Sequence, residues 1–381
     1  MSGRPTAKQV TGWADEVAAV GERIGRHFAR TEPRQRAAEY IRGLLGDAER
    51  KNGWQLAEHL GEANPDGVQH LLARADWDAD AVRDDLLGYV ADALGDPGGV
   101  LVIDETGFPK RGDHSVGVQR QYCGAVGKVE NCQVGVFLGY VTPKGRGLLD
   151  RALYLPKEWA ADGKRRKRAG VPKKTGFATK VELAERLVAR AVAAGVPAGW
   201  VTADAVYGTA AFRDAVEGHR LGYVLAVKSD HTAHRGVRAT PARDVVGELG
   251  PADWRRVSSG DGAKGPRVSD WAAVPVDAPT PDAGRWLLIR RDVADPADVA
   301  FFIAGGPPGT TLDTLVRVAG SRWGIEECFE IAKGDCGLDH YEVRGWVGWH
   351  RHVTLSLLAL AVVAVIRSRV VAGAKKKSRP G

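Results

Sequence analysis

The spacing of apolar residues predicts helices in the first quarter of the chain. In RQRAAEYIRGLLGDAE and DAVRDDLLGYVADALG, apolar side chains recur every three or four positions, and Gly and Pro mark the breaks. Between these segments, NGWQLAEHLGEANPDGVQHLLARADW predicts two short helices around a turn, which is similar to a helix-turn-helix motif. We therefore expect residues 1–95 to form a helical domain that contacts DNA, although a plain helical bundle explains the same pattern.

After residue 96 the pattern changes to short apolar runs that are typical of strands. Residues 100–103 are apolar and are followed by Asp104 and a Gly/Pro loop, which indicates a buried strand with an acid at its end. A later strand, within GWVTADAVYG, ends near Asp204 in the same way. Further strands are predicted at CQVGVFLGYVTP, LLDRALYLP and GYVLAVKSD, and a helix at TKVELAERLVARAVAAG. Residues 96–230 are therefore predicted to be the first part of an α/β core.

The second half of the chain predicts an insertion followed by helices. Residues 231–305 are rich in Gly, Pro and Asp and contain short β-like segments, which predicts a β-rich insertion. Residues 306–370 are predicted to return to the core as C-terminal helices, and residues 371–381 to form a disordered basic tail. The apolar run at 353–366 is shorter than the roughly 20 residues that cross a bilayer, so we expect a buried helix and no membrane role.

Composition and charge narrow the class of protein. A chain of 381 residues with 44% hydrophobic and 27% charged residues is expected to fold into two or three domains. Its formal charge of +7 suggests a polyanionic partner, although a modest basic excess is also common in proteins that bind no nucleic acid. The four cysteines form no CxxC pair and no signal peptide is evident, which favours free thiols and a cytoplasmic protein over disulfides or a zinc site.

The segment SRWGIEECFEIAKG carries charges in a pattern that a helix would organise. At about 100° per residue, Arg322, Glu326 and Lys333 fall within roughly 40° of one another and form one polar stripe. Ile325 and Phe329 project on the adjoining side, which would be buried. Taken alone, Arg322 and Glu326 are an ordinary i,i+4 ion pair, and a purely structural role explains them.

Three acids in this pattern predict a metal site. Asp104 and Asp204 follow predicted strands and Glu326 lies on a predicted helix, and carboxylates gathered together repel one another unless a cation lies between them. Mg²⁺ prefers oxygen ligands, so three acids could hold two ions, which together can promote attack on a phosphodiester. Each aspartate alone is more often a turn former or a helix cap.

These residues carry a resemblance to a known family. The chain resembles the DDE transposases of bacterial insertion sequences, most strongly at LVIDETGFPK, VTADAVYG and RWGIEECFEIAK. The resemblance implies an RNase H-like mixed sheet with flanking helices, interrupted by a β-rich insertion. Arg322, Glu326 and Lys333 match the R-(3)-E-(6)-K part of the family signature, whereas Ala319 stands where the signature has tyrosine.

The resemblance also implies the roles of the site residues. Asp104, Asp204 and Glu326 would be the catalytic acids and would bind Mg²⁺ or Mn²⁺, with two ions per site. Arg322 and Lys333 would hold the DNA strand beside them. The other basic residues predicted to contact DNA are Lys110, Arg111, Lys164, Arg165, Arg166, Lys167 and Arg168.

The expected function is metal-dependent cleavage at terminal inverted repeats, followed by transfer of the 3′-hydroxyl ends into target DNA. By the same resemblance, the protein would act as a homodimer on double-stranded DNA, in the bacterial cytoplasm at the nucleoid. One alternative is an RNase H-like nuclease that does not join strands. Another is a domesticated DNA-binding protein without catalysis, and a third is an unrelated basic enzyme in which the three acids lie far apart.

Overall fold

The computed structural model describes residues 7–262, 265–278 and 283–377. Its N-terminal part is helical, in agreement with the apolar spacing. The helices are α1 (Ala7–Gly25), α2 (Thr31–Leu45), α3 (Gly53–His59), α4 (Asp66–Ala73) and α5 (Ala79–Leu94). The side chains of Asn52 and Asp78 cap α3 and α5 by accepting backbone N–H groups of the first turn, which explains why these helices begin where they do.

The central sheet begins with a mixed set of strands. These are β1 (Val100–Pro109), β2 (Gln119–Cys123), β3 (Lys128–Thr142), β4 (Gly145–Tyr154), β5 (Trp200–Ala203) and β6 (Gly222–Val227). β3 pairs antiparallel with β1, β2 and β4, whereas β1, β5 and β6 run parallel to one another in that order. Three antiparallel strands followed by two parallel ones form an RNase H-like α/β core, as the sequence predicts.

Helices cover the core between these strands. They are α6 (Lys157–Ala161), α7 (Gly163–Arg168), α8 (Lys180–Ala193) and α9 (Ala210–Gly218). α8 begins with a capping box between Thr179 and Glu182 and packs on β3 and β4. The basic run predicted to contact DNA lies on the short helix α7. α7 forms there because the Asp162 side chain accepts the backbone N–H groups of Lys164 and Arg165.

The β-rich segment extends the core sheet. A small hairpin, β7 (Thr232–Arg235) and β8 (Arg238–Pro241), and the short helix α10 (Ala242–Val245) come first. The following strands are β9 (Arg255–Gly262), β10 (Gly265–Pro275), β11 (Gly284–Asp292) and β12 (Val299–Gly306). β9 to β12 pair antiparallel in sequence, and β12 pairs with β6, so that one sheet of ten strands results.

Three helices complete the described chain: α11 (Leu312–Ser321), α12 (Trp323–Gly334) and α13 (Trp346–Lys377). By length and composition, Trp346–Gly373 could cross a membrane, with a mean hydropathy of 2.1. However, 56% of its apolar window is buried inside the protein, where α13 packs on β4, α5 and α2. Its apolar composition is therefore that of a central core helix, which agrees with the prediction for residues 353–366.

Helix α13 extends into the predicted basic tail, residues 371–381. α13 continues through Lys377, because Ala and Lys have high helix propensity and extend a helix that tertiary packing has already nucleated. The disorder of residues 371–381 stays a prediction. Residues 378–381 lie outside the described residues.

The N-terminal helices share a continuous hydrophobic core with the sheet. Ile41 of α2, Leu87 of α5, Leu101 of β1 and Leu358 of α13 belong to one cluster of buried side chains. Arg351 of α13 reinforces this packing, because its guanidinium donates to the backbone carbonyls of residues 71, 75 and 77. The helical region is thus held against the sheet by both apolar contacts and hydrogen bonds.

His352 makes this core sensitive to acid. The ring is fully buried, with Nδ1 2.8 Å from Tyr40 Oη and Nε2 3.0 Å from the Gly337 carbonyl oxygen. Burial lowers the pKa of His352 to about 3. The neutral ring can accept from Tyr40 and donate to Gly337, whereas a protonated ring would be a buried unpaired charge.

We expect stability to fall as the pH drops below the unfolded histidine pKa of about 6.5, because the unfolded chain then binds a proton that the folded chain excludes. At pH 5.5 the expected loss from His352 is about 1 kcal/mol. Urea unfolding at pH 7.5 and 5.5 would measure it. His352→Asn should show a pH dependence weaker by this amount, whereas His234→Asn, at an exposed site, should retain the wild-type dependence. An unchanged dependence in His352→Asn would contradict the assignment.

Candidate active site

Asp104 and Asp204 lie next to each other at one end of the parallel strands. Ile103 of β1 pairs with Ala203 of β5, and each aspartate is the next residue in its chain. Because neighbouring strands lie about 4.8 Å apart and run in the same direction here, the two aspartates emerge side by side. The sequence predicted an acid at the end of each strand, which holds for Asp204, directly after β5. The prediction is wrong for Asp104, because β1 continues to Pro109 by pairing with β3, and Asp104 lies where the parallel pairing with β5 stops.

Arg322 connects Asp104 to Glu326. Its backbone is helical and joins α11 to α12, so that Arg322 and Glu326 are one turn apart. The guanidinium Nη2 lies 2.8 Å from Glu326 Oε1, and Nη1 lies 3.5 Å from Asp104 Oδ2. Ile325 and Phe329 are buried on the adjoining side of α12, as the sequence predicted. The polar stripe therefore faces Asp104.

Lys333 extends the same stripe along β1. Its Nζ lies 2.8 Å from Thr106 Oγ1 and 5.7 Å from the ring centroid of Phe108. Thr106 is two residues beyond Asp104, and alternate residues of a strand project to the same side. Lys333 and Arg322 are thus both placed on the side of β1 that carries Asp104. Burial lowers the pKa of Lys333.

The two aspartates are held in an environment that disfavours their charge. The pKa of Asp104 is raised to about 7, mainly by burial and also by the charges of Asp204 and Glu105, against the lowering effects of the Glu105 backbone N–H and of Arg322. Burial and the nearby Glu105 also raise the pKa of Asp204. A buried site with several carboxylates and one bridging arginine favours the binding of additional positive charge.

The donor set suits a hard divalent cation. Carboxylate oxygens are the ligands that Mg²⁺ and Mn²⁺ prefer, and no cysteine contributes a soft ligand here. Within the three described ranges, no group of three or more acidic, imidazole or thiol side chains is gathered closely enough to form a finished metal site. Asp104 and Glu326 instead share their contacts with Arg322. The carboxylates of Asp104, Asp204 and Glu326 are therefore suitable ligands for Mg²⁺ or Mn²⁺. In the structure, Arg322 is the cation that contacts Asp104 and Glu326.

Sequence reasoning missed three residues beside the acids. Glu105 accepts a hydrogen bond from the Tyr207 hydroxyl and forms an ion pair with Lys180. Tyr207 is fully buried, and Lys180 is the first residue of α8. The available signal was the second acid in the segment IDET, directly after Asp104. Its partners could not be found from sequence, since they come from two elements distant in the chain.

Of the two basic residues after β1, Lys110 contacts another part of the protein, Tyr341. Its Nζ lies 3.1 Å from the Tyr341 carbonyl oxygen and 3.6 Å from the ring centroid of Tyr341. Burial lowers the pKa of Lys110 to about 8. Arg111, by contrast, is exposed. The structure thus leaves Arg111 better placed than Lys110 for a contact with DNA.

The five basic residues of α7 likewise include side chains that contact the protein and side chains that are exposed. The Arg165 guanidinium lies 4.2 Å from the ring centroid of Trp159 and donates to the Asp113 and Val118 carbonyls. Arg166 donates to backbone carbonyls that include those of residues 160 and 172. The other three, Lys164, Lys167 and Arg168, are exposed. Two of the five basic side chains, Arg165 and Arg166, therefore hold α7 to the neighbouring backbone.

Comparison with known proteins identifies the family. Residues 23–263, more than half of the chain, match the family described as DDE superfamily endonuclease, and residues 175–362 match the transposase DDE domain. The chain is 30% identical over 196 residues to a protein of Microchaete diplosiphon named "Probable transposase for insertion sequence element IS701". That alignment covers 50% of this chain and 47% of the relative, so the chain spans about half the length of the curated relative that it matches. The chain therefore belongs to the DDE superfamily endonuclease family.

Proposed function

We propose that the protein is a metal-dependent transposase that cleaves DNA at the terminal inverted repeats of its element and transfers the 3′-hydroxyl ends into target DNA. The observation that carries this proposal is the placement of Asp104 and Asp204 on adjacent parallel strands, facing the Arg322–Glu326 pair of α12. An unrelated enzyme with three scattered surface acids would not have this arrangement.

Asp104, Asp204 and Glu326 are the residues that would hold Mg²⁺ or Mn²⁺, and we propose two ions per site. Bound ions would supply activation of the attacking oxygen and stabilisation of the leaving oxygen at the phosphodiester. The raised pKa of Asp104, caused mainly by burial, supports a cation-binding role. A buried carboxylate of this kind is more stable in its charged form when a cation is near.

Arg322 and Lys333 would bind and orient the scissile strand. They are separated by eleven residues of helical backbone, or about 16 Å along the axis, so they would contact different phosphates of one strand. Arg322 is oriented by its ion pairs with Glu326 and Asp104, and Lys333 by Thr106. Ion pairs that hold a cation in place reduce the entropy lost when it binds a phosphate.

The partner is proposed to be double-stranded DNA, bound by a homodimer in the cytoplasm at the bacterial nucleoid. We assign DNA binding to the helical domain 1–95 and catalysis to residues 96–230 and 306–370, with residues 231–305 as the insertion. On α4, Val68 and Leu71 are buried whereas Gln69 and His70 are exposed, which leaves one face of this helix open to a partner. That exposed face supports the helix-turn-helix interpretation of α3 and α4.

The test separates strand transfer from its two alternatives. The full-length protein would be incubated with Mg²⁺ and a duplex carrying the terminal repeats of its element, and separately with precut ends and a target plasmid. We expect nicking at the repeat ends and joining of the precut 3′-hydroxyls. Nicking without joining would favour a nuclease. Specific binding without nicking in Mg²⁺ or Mn²⁺ would favour a domesticated DNA-binding protein.

The exposed basic residues of α7 are expected to contribute to DNA affinity without contributing to stability. Replacing Lys164, Lys167 and Arg168 together by glutamine should lower affinity for any duplex about tenfold at moderate salt and reduce the slope of log affinity against log salt by up to about 3. Titration of a labelled duplex at several salt concentrations would measure this. The single variant Arg166→Gln is the contrasting case, since Arg166 donates to backbone carbonyls and should affect stability instead. An unchanged salt slope in the triple variant would show that α7 does not contact DNA.

A further inference from the structure

Three side chains, the fully buried Tyr207 and the partly buried Glu105 and Lys180, form a clamp beside the two aspartates. Glu105 follows Asp104 on β1, so its side chain projects to the opposite side of the sheet. There its two carboxylate oxygens are divided between the Tyr207 hydroxyl and the Lys180 ammonium. A partly buried carboxylate needs such partners, because an unpaired charge at this position would be costly.

The clamp is continuous with the backbone that holds both acids. The N–H of Glu105 donates to Asp104 Oδ1 at 2.8 Å. The N–H of Val206 donates to Asp204 Oδ1 at 2.9 Å, and the N–H of Tyr207 donates to the Asp204 carbonyl oxygen at 3.2 Å. Glu105 and Tyr207 thus each belong to the short segment that orients one aspartate. Their side chains join these segments by a hydrogen bond.

We propose that Glu105, with Tyr207 and Lys180, is a positioning residue that fixes Asp104 and Asp204 relative to each other and thereby sets the affinity of the site for a divalent cation. In this proposal Glu105 contacts neither the cation nor DNA. Two adjacent carboxylates repel each other, and their segments would move apart without a connection on the other side of the sheet. The effect on DNA cleavage rests on the proposed function, whereas the effect on cation affinity is measured separately.

The chain contains a matched control for the clamp. Tyr223 is also fully buried, and its hydroxyl lies 2.8 Å from Glu217 Oε1, which Arg285 Nη2 approaches to 2.7 Å. This is the same combination of tyrosine, glutamate and cation. Tyr223 pairs with Val201, near the start of the parallel strands, whereas Asp204 follows their end. The Tyr223 hydroxyl also accepts from Arg285 Nε at 3.1 Å, so Tyr223→Phe removes at least as many hydrogen bonds as Tyr207→Phe without altering the segment that carries Asp204.

The experiment compares Tyr207→Phe, Tyr223→Phe and Glu105→Gln in the full-length protein. Mn²⁺ binding would be titrated by the electron paramagnetic resonance signal of the free ion, and hydrogen–deuterium exchange would follow residues 203–208. We expect Tyr207→Phe to weaken Mn²⁺ binding about tenfold, a usual effect of removing a group that orients a metal ligand, and to speed exchange in this segment. In Tyr223→Phe both readouts should stay within about twofold of wild type, at a similar loss of thermal stability.

The outcomes distinguish this proposal from the proposed function. Equal Mn²⁺ affinity in Tyr207→Phe and Tyr223→Phe would overturn the positioning role, as would a wild-type protein that binds no Mn²⁺. A much larger loss in Glu105→Gln than in Tyr207→Phe would make Glu105 a metal ligand, which also overturns it. A protein that binds Mn²⁺ with the expected pattern but cuts no DNA would refute the transposase and leave the clamp intact. In an active protein, Tyr207→Phe should raise the half-saturating Mn²⁺ about tenfold, with a small change in the maximal rate.

Discussion

Glu326→Gln is expected to lower the rate of cleavage at the repeat ends about a thousandfold or more, the scale seen when one member of a catalytic unit is removed. The glutamine keeps the size of the side chain and removes its charge. Because glutamine and glutamate have the same size, the substitution opens no cavity. It removes the charge of one of the three predicted acids, the one that pairs with Arg322, which in turn contacts Asp104. Binding of the duplex should be retained or become slightly tighter, because a negative charge near the phosphates is lost. Binding and nicking of the same labelled duplex would be measured in parallel.

The control for this prediction is Glu330→Gln. Glu330 lies one turn further along α12 and is exposed. The control is therefore the same glutamate-to-glutamine substitution on the same helix. It should cut at the wild-type rate. If Glu326→Gln and Glu330→Gln both cut normally, Glu326 would be only the structural ion-pair partner of Arg322, which is the simpler interpretation that the sequence allowed.

Local patterns made much of this site predictable. The stripe on α12 follows from helical periodicity alone, and the 2.8 Å contact between Arg322 and Glu326 has the expected i,i+4 spacing. Apolar runs before Asp104 and Asp204 likewise reveal two strands and the end of β5, although β1 continues beyond Asp104 to Pro109. In both cases the information lies within about ten consecutive residues.

Contacts between distant segments were not predictable. No local pattern indicates that β12 pairs with β6 and so makes the β-rich segment part of the core sheet. Neither the contact of Arg322 with Asp104 nor that of Tyr207 with Glu105 has a sequence signal, since each joins elements at least one hundred residues apart. The use of Arg165 and Arg166 in the fold was missed for the same reason, because a basic run has the same composition whether its side chains bind carbonyls or face solvent.

The attachment of the helical domain to the sheet was also beyond sequence reasoning, and one buried carboxylate shows why. Asp150 of β4 has no exposed surface, and its two oxygens contact Arg83 of α5 at 3.1 Å and Arg190 of α8 at 2.8 Å. It also accepts the N–H of Arg151 at 2.7 Å. Arg83 and Arg190 come from elements on either side of Asp150 in the chain, so only the fold brings them together. Asp150 therefore joins the helical region to the core.

Asp150→Asn is expected to destabilise the protein by about 3–5 kcal/mol, the usual cost of breaking a buried ion pair on one side. The amide keeps the shape of the side chain, but it leaves the charge of Arg83, which is almost fully buried, without its buried partner. Asp84→Asn is the control, since Asp84 also contacts Arg83, at 2.7 Å, but its side chain is 62% exposed. An exposed pair contributes at most about 1 kcal/mol. Urea unfolding should show a large shift for Asp150→Asn only. Equally small shifts would mean that Arg83 is hydrated in solution and that Asp150 does not hold the helical domain to the sheet.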